Sequence, residues 1–496
     1  MEVVTPASTQ EEIQTMLGDD SESGKEERKK TADRLVEMVA NLELFHSRDE
    51  ACYAVLEVNG HREIHSLRSS SFKTFLAHRF YLQEKKVPHA QAVQDALATL
   101  QGRARFEGPE RDVCVRVADR EGRIYLDLGD DAWRAVEISP SGWDVVDVSP
   151  VAFRRPRGML PLPEPLSGGS LDDLLRPFLN VVDDSSWRLV LVWILAALRP
   201  TGPYPILCLH GTQGAAKSSA THFLRALIDP SKAPLRGEPK ELHTVMITAR
   251  NSWVFTLDNA SRLPGWLSDT LCRLATGGGF STRELYTDSD EILFDATRPA
   301  ILNGISELPS RGDLLDRSII IECPTIPPER RRSAENLRQE FEKAQPLIVG
   351  ALLDVLVNAL RELPQVHAPS LPRMADFALF GLAVERALGW PGGSFLRSYE
   401  GNITGSYRLA IESSPVGEAI VSFAERETPW EGSPTALLEK LSASEGEHAR
   451  RRDGWPKSPR GLTDAIKRLR PSLEREGIRV TFGRTGRQRL VCLEKV

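Results

Sequence analysis

The chain has 496 residues, 27% of them charged and 41% hydrophobic, with a net charge of −6. A chain of that size holds roughly three or four domains, and the composition excludes a mostly disordered polymer and a uniformly basic nucleic-acid binder. Six cysteines (Cys52, Cys114, Cys208, Cys272, Cys323 and Cys492) are scattered without a Cys-x-x-Cys pair, which argues against a zinc site or a disulfide framework and suits a reducing cytosol. The longest apolar run, residues 189–198, is too short to span a bilayer and reads as a buried helix. With a polar, acidic opening over residues 1–20 in place of a secretory signal, the expectation is a cytoplasmic protein without membrane contact.

Residues 1–32 are rich in Glu, Ser, Asp and Lys and read as a mobile tail, with a helix beginning near Thr31. Residues 33–160 read as a small α+β module, with alternating segments at 54–58, 113–117, 124–128 and 135–138 and helical stretches at 71–84 and 90–100. Within it, Asp127, Asp130 and Asp131 surround Gly129. Paired carboxylates near a strand hold metals in polymerases, but this cluster reads more simply as a hairpin turn. Trp133, Trp143 and Trp187 read as core. Pro161, Pro163, Pro165, Gly168 and Gly169 mark residues 159–169 as a linker.

Residues 161–327 alternate strand and helix signals, which implies a parallel sheet with ligands at the carboxyl ends of its strands. The apolar run 206–209 leads into Gly211, Thr212, Gln213, Gly214, Ala215, Ala216, Lys217, Ser218 and Ser219, followed by a helical stretch. A strand, a small-residue loop and a helix start form a phosphate cradle: backbone N–H groups point at the phosphates, Lys217 adds a point charge, and the Ser218 hydroxyl is a Mg²⁺ ligand. Ala216 stands where a second glycine is usual. His210, just before the loop, reads as a structural strand-end residue. A second apolar strand, 253–257, ends in Asp258 and Asn259, and Asp258 is placed to hold Mg²⁺ with Ser218. A third, 299–302, ends in Asn303, a side chain suited to orienting an attacking water. Arg317 follows just before a fourth strand at 318–321, where an arginine points at a neighbouring subunit's nucleotide. Arg311 is its rival, and pairing of Arg317 with Asp313 or Asp316 is the bland alternative.

The run from Cys272 through Thr276, Gly277, Gly278, Arg283 and Tyr286, then Asn303, Asp316 and Arg317, resembles superfamily 3 helicases, and in particular the AAA+ module of phage, plasmid and poxvirus primase-helicases. The resemblance covers about residues 170–410. It implies a P-loop ATPase core with a helical lid over 328–411, a hexameric ring with ATP and Mg²⁺ between subunits, Lys217 and Ser218 on phosphate and metal, Asp258 on the metal, Asn303 as sensor and Arg317 as a finger acting in trans. It further implies that the Thr-Gly-Gly run leads into a hairpin lining a central pore. Two departures stand out. Asn259 occupies a position where many relatives carry an acid that activates water, so Asp269 or Glu284 are substitutes for that role. The expected hairpin tip, residues 287–291, is acidic where a DNA-translocating hairpin offers cations.

Residues 412–496 read as a winged helix. From 450 to 496 there are fourteen Lys or Arg against five Asp or Glu, a local excess of cations that suits phosphates. Leu462, Ile466, Leu469 and Leu473 set one apolar face, with Arg460, Lys467, Arg468 and Arg470 between them, and this is the candidate recognition helix. Strands at 478–482 and 488–493 flank a turn carrying Arg484 and Arg487. The whole reads as an ATP-hydrolysing protein acting on DNA, a helicase or initiator of a phage, plasmid or integrated element. The alternatives are a nucleotide-gated DNA-binding regulator and an NTPase with a protein partner.

Overall fold

The computed structural model describes residues 22–260, 263–283, 291–294, 296–304, 312–450, 454–486 and 488–496. They form two compact units: one takes the chain up to Cys114 together with Asp147–Arg155, the other takes Val115–Val146 and Pro156–Val496.

The first unit opens with helix α1 (Glu22–Glu37), so the tail expected over 1–32 gives way to helix at Glu22. After Ser23 and Gly24 its first turns are built from Glu, Lys and Arg, good helix formers that carry no apolar period to announce them. An antiparallel meander follows, β1 (Glu43–His46), β2 (Cys52–Val58) and β3 (His61–Ser66), then α2 (Ser70–Glu84) and α3 (Ala90–Phe106). Ser69 caps α2 by accepting the Phe72 N–H at 3.1 Å, satisfying one of the donors a helix start leaves free. Leu35, Phe72, Leu76, Leu97 and Leu100 close the core. Strands β4 (Val113–Cys114) and, later in the chain, β9 (Ala152–Phe153) pair in parallel.

Between them runs a four-stranded antiparallel meander that belongs to the second unit: β5 (Val117–Arg120), β6 (Arg123–Asp127), β7 (Ala135–Ser139) and β8 (Gly142–Val146). The single module expected over 33–160 is therefore divided. Val117, Leu126, Val136 and Ile138 are buried in the same core as the parallel sheet described below, and Trp143 donates its indole N–H to Asp354 at 2.8 Å. Of the three tryptophans read as core, Trp187 is buried, while Trp133 and Trp143 keep partial exposure. Asp130 pairs with Arg134 at 2.7 Å, and Asp127 accepts the Gly129 N–H at 3.0 Å, so these carboxylates organise a turn. The segment 159–169 is tied down: Leu162 N–H donates to Leu128 O and Leu166 N–H to Pro346 O. A Cβ on Gly350 would lie 1.9 Å from Leu166 O, so a glycine is what lets this stretch lie against the helix.

The parallel sheet has the order β11–β14–β10–β15, from β10 (Ile206–His210), β11 (Phe255–Leu257), β14 (Ala300–Gly304) and β15 (Ser318–Glu322). Its strands read as continuous apolar runs because helices cover them. Helix α4 (Leu171–Leu174) and helix α5 (Asp184–Ala197) precede the sheet, and Asp183 caps α5 through the Ser186 N–H at 2.7 Å. Every residue of the apolar run 189–198 is buried. Helices α6 (Lys217–Ile228), α7 (Leu242–Asn251) and α8 (Gly265–Thr276) connect β10 to β11 and β11 onward. A hairpin of β12 (Phe280–Arg283) and β13 (Glu291–Phe294) is antiparallel with Arg283 opposite Glu291. The short helix α9 (Gly312–Leu315) leads into β15. Three helices follow, α10 (Ala334–Glu362), α11 (Ala375–Ala387) and α12 (Ser394–Glu412).

A buried ion network braces this unit. Asp229, just past α6, meets Arg116 at 3.4 Å and Arg225 at 3.7 Å, and accepts the N–H groups of Trp253 and Val254 at the entry to β11. Both guanidiniums are buried, and their remaining donors reach backbone carbonyls of Asp127, Leu160 and Pro234. Buried charges are tolerated on such terms, with each donor matched.

The chain ends in helices α13 (Pro415–Glu427), α14 (Pro434–Arg450) and α15 (Pro459–Arg475), with strands β16 (Trp430–Gly432), β17 (Ile478–Thr485) and β18 (Gln488–Lys495) in the order β16–β18–β17. The apolar face expected for α15 is buried, with Leu462, Ile466, Leu469 and Leu473 packed on Phe423 and Leu437.

Candidate nucleotide site and basic C-terminal module

The loop from Gly211 to Ala216 joins β10 to α6, and its conformation explains its small residues. Gly211 (φ +148°) and Gly214 (φ +81°) take backbone angles that side chains disfavour, and a Cβ on Gly211 would lie 2.3 Å from Cys323 O. Ala216 sits in the left-handed region (φ +59°) at the α6 N-cap, which is why glycine is usual there. The loop therefore leads directly into the α6 N-terminus, and a helix start reached through small residues suits an anion. Lys217 is 9% exposed, and its ammonium donates to Gly211 O and Thr212 O, both at 2.8 Å.

The strand ends bring three predicted residues to this loop. Ser218 Oγ donates to Asp258 Oδ1 at 2.9 Å, so the two residues expected to share Mg²⁺ are adjacent across the mouth of the sheet. Asn303 lies between them on β14 and is buried. Its Oδ1 accepts the Asn259 N–H at 2.8 Å and its Nδ2 donates to Thr221 Oγ1 at 3.0 Å, so in this state its amide braces the β11 tip against α6. Asn259 has φ +55° and an exposed side chain. His210 ends β10 half-buried, and burial holds its imidazole below the usual range.

Arg317 follows α9, and its side chain is 17% exposed. One Nη donates to Asp313 O at 2.8 Å, while its Nε is buried without a hydrogen-bond partner among the described residues. Asp316 does not pair with it; that carboxylate is engaged by Tyr407, Arg373 and Arg475. Asp269 is exposed on α8. Arg311, Glu284, Tyr286 and residues 287–290 of the hairpin tip lie outside the described residues.

Four contacts at this site have no signature in the sequence. Asn180 Nδ2 donates to Ala215 O at 3.0 Å and Pro324 O at 2.6 Å, and Thr212 and Thr325 share a hydrogen bond at 2.6 Å. These lock the loop to the exit of β15. Arg331, held by Ile326 O, places an Nη 3.9 Å from where a Gly214 Cβ would stand.

In the C-terminal module Arg460, Lys467, Arg468 and Arg470 are all exposed on α15. Arg470 pairs with Glu474 at 2.7 Å, and Lys467 lies over the Phe482 ring. Arg484 on β17 is exposed directly opposite Arg489 on β18. Like charges across a strand pair are unfavourable alone, and Arg489 was not singled out by the sequence pattern. Arg487 lies outside the described residues. Among the described residues no helix is long and apolar enough to cross a membrane.

Residues 171–401 match the family model of the actinomycete integrative conjugative element replication protein, and residues 416–496 match that of the AICE RepA C-terminal domain. No curated protein matches the chain. Among solved structures, the A-form apo C-terminal region of NrS-1 is similar at 11% identity, covering 93% of this chain and 98% of that one with a TM-score of 0.40. The SCCmec type IV Cch active helicase is similar at 12% identity, covering 92% of each chain with a TM-score of 0.44. The sequence matches are the stronger finding: α4 to α12 with the parallel sheet, and then the basic C-terminal module, match in order the two models of one replication-protein family of integrative conjugative elements.

Proposed function

We propose that the chain is an ATP-binding and ATP-hydrolysing AAA+ protein that acts on DNA in the replication of an integrated mobile element, as a helicase or initiation ATPase in a homo-oligomeric, hexameric ring. The observation that carries the reading is the 2.9 Å contact between Ser218 and Asp258 beside the Lys217 ammonium. A hydroxyl and a carboxylate form an oxygen-only donor set suited to Mg²⁺, and the loop N–H groups suit the phosphates of ATP. The metal, when bound, neutralises phosphate charge as the γ-group departs. Lys217 exchanges two carbonyl acceptors for phosphate oxygens, Asn303 fixes the height of the β11 tip, and Arg317 acts on the nucleotide of an adjoining subunit. Helices α10 to α12 form the lid, and residues 412–496 a winged helix that offers α15 and the β17–β18 turn to duplex DNA. The order α13–β16–α14–α15–β17–β18 supports that assignment.

A second reading, a nucleotide-gated DNA-binding regulator, is favoured by Asn259, whose amide next to Asp258 cannot accept a proton from water. Steady-state ATP hydrolysis by the full chain, with and without single-stranded DNA and with Lys217→Ala as the blank, separates the two. Turnover stimulated by DNA supports the motor; nucleotide-dependent duplex binding without turnover supports the regulator.

A further inference from the structure

The loop that carries Arg317 is held from the C-terminal module, and this contact is unassigned by the family matches. Asp316 accepts the Tyr407 hydroxyl at 2.5 Å and lies 3.3 Å from Arg373 and 3.6 Å from Arg475. Tyr407 is on α12 and Arg475 is in the last turn of α15. The Arg475 guanidinium also covers the Tyr407 ring, 4.2 Å from its centroid, which fixes the plane of both groups. Burial and the hydrogen bond to Asp316 push the Tyr407 hydroxyl above the usual tyrosine range, so it stays a donor at alkaline as well as neutral pH. One turn earlier on α15, Pro471 is pressed against Gly312: a Cβ there would stand 2.6 Å from the Pro471 ring. Helix α9 and Asp316 are thus gripped at both ends by one helix, and Arg317 is the next residue.

The same helix exposes Arg460 in its first turn and Lys467 and Arg468 near its middle, so one helix touches the Arg317 loop with its last turns and presents cations along the turns before them. On the ATPase reading above, we infer that Arg475, with Tyr407 and Asp316, is a positioning device for Arg317, and that DNA held by α15 adjusts ATP turnover through it. The carboxylate is partly exposed, its side chain 23% accessible, so this is an adjustable contact and not a sealed core pair. Coupling of this kind needs an element with two arrangements that both sites bias. Leu314 and Leu315 bury the body of α9, and the Asp316–Arg317 end fits this requirement, since partly exposed ion pairs and one hydroxyl keep Asp316 in place.

The test uses the full chain. Arg475→Ala and Tyr407→Phe should each lower kcat for ATP about five- to tenfold while leaving KM within about twofold, and should remove most of any stimulation by DNA. Arg475→Lys, which keeps the charge and loses the stacked plane, should recover part of kcat. Tyr407→Phe is distant in chemistry from DNA contact, so its agreement with Arg475→Ala excludes lost DNA affinity as the cause. Hydrogen exchange supplies a readout independent of turnover: amides of residues 312–317 should exchange at least about tenfold faster in Arg475→Ala, and their protection should change when duplex DNA is added to the parent chain. Unchanged exchange in this segment, or parent-like kcat in both variants, overturns the inference. Absence of ATP turnover in the parent chain with the exchange effects intact would instead remove the ATPase reading and leave the mechanical link standing.

Discussion

The strand-end site and the Arg317 loop are opposites in construction. Lys217 and Asn303 are buried, their polar atoms are matched, and the sheet under them is braced by Asp229 between two buried arginines. Around Arg317 the contacts are partly exposed ion pairs, with Asp313 68% and Arg373 45% accessible at the side chain, and such pairs contribute little each. On the proposed reading the strand-end site is a phosphate cradle, which has to be preorganised because its worth lies in donors fixed before the ligand arrives. On the same reading Arg317 serves another subunit, and such an arginine has to move with the interface. The difference teaches where substitutions should cost folding and where they should cost only rate.

The largest effect should come from the adjustable side. Arg317→Ala is expected to bind ATP as the parent does and to lose about a thousandfold or more in turnover, measured as phosphate release beside a nucleotide titration. If turnover persists, Arg317 is a surface partner of Asp313 and the contrast fails at its functional end. On the rigid side, Asp229→Ala strands Arg116 and Arg225 in the interior and should cost about 3–5 kcal/mol of stability, read as an earlier denaturation midpoint for the second unit with the first unit unaffected. A midpoint like the parent's would mean that the network is not what braces the sheet.

These two predictions differ in how far the sequence announces them. The proposed phosphate loop shows in the sequence because its chemistry would demand fixed spacing: Gly211, Lys217 and Ser218 lie within one short stretch, and Asp258 and Asn303 each follow an apolar strand. The Asp229 network is not legible, because it joins residues 116, 225 and 229 and is recognisable only once the 115–146 meander is folded onto the sheet. The same reason hides the division of residues 33–160. Alternation in β5 to β8 says that one face is buried and is silent about what covers it. Asp316 shows a third limit: its spacing to Arg317 suggested a local pair, while its partners come from positions 373, 407 and 475.

Smaller effects sharpen the picture of the cradle. Ala216→Gly relieves a left-handed alanine and should leave ATP affinity intact while raising stability by up to about 1 kcal/mol; a clear loss of affinity would mean that the methyl group contacts the ligand. The smallest effect concerns acid. Burial lowers the affinity of His210 and His222 for protons in the folded chain, so the unfolded chain binds more protons as pH falls. Their contribution is fully present above about pH 6.5 and fades below it, which a thermal midpoint measured between pH 7.5 and 5.5 should report as a slight decline. A midpoint rising toward acid would contradict the burial of these imidazoles.

The central claim, that Lys217, Ser218 and Asp258 form a Mg²⁺-assisted phosphate site, is tested most directly by titrating a fluorescent ATP analogue with and without Mg²⁺ against the parent chain, Lys217→Ala and Asp258→Ala. The account predicts Mg²⁺-enhanced binding by the parent, near-complete loss in Lys217→Ala, and binding in Asp258→Ala that no longer responds to the metal. Equal binding by all three proteins, or a metal response that survives in Asp258→Ala, would contradict it.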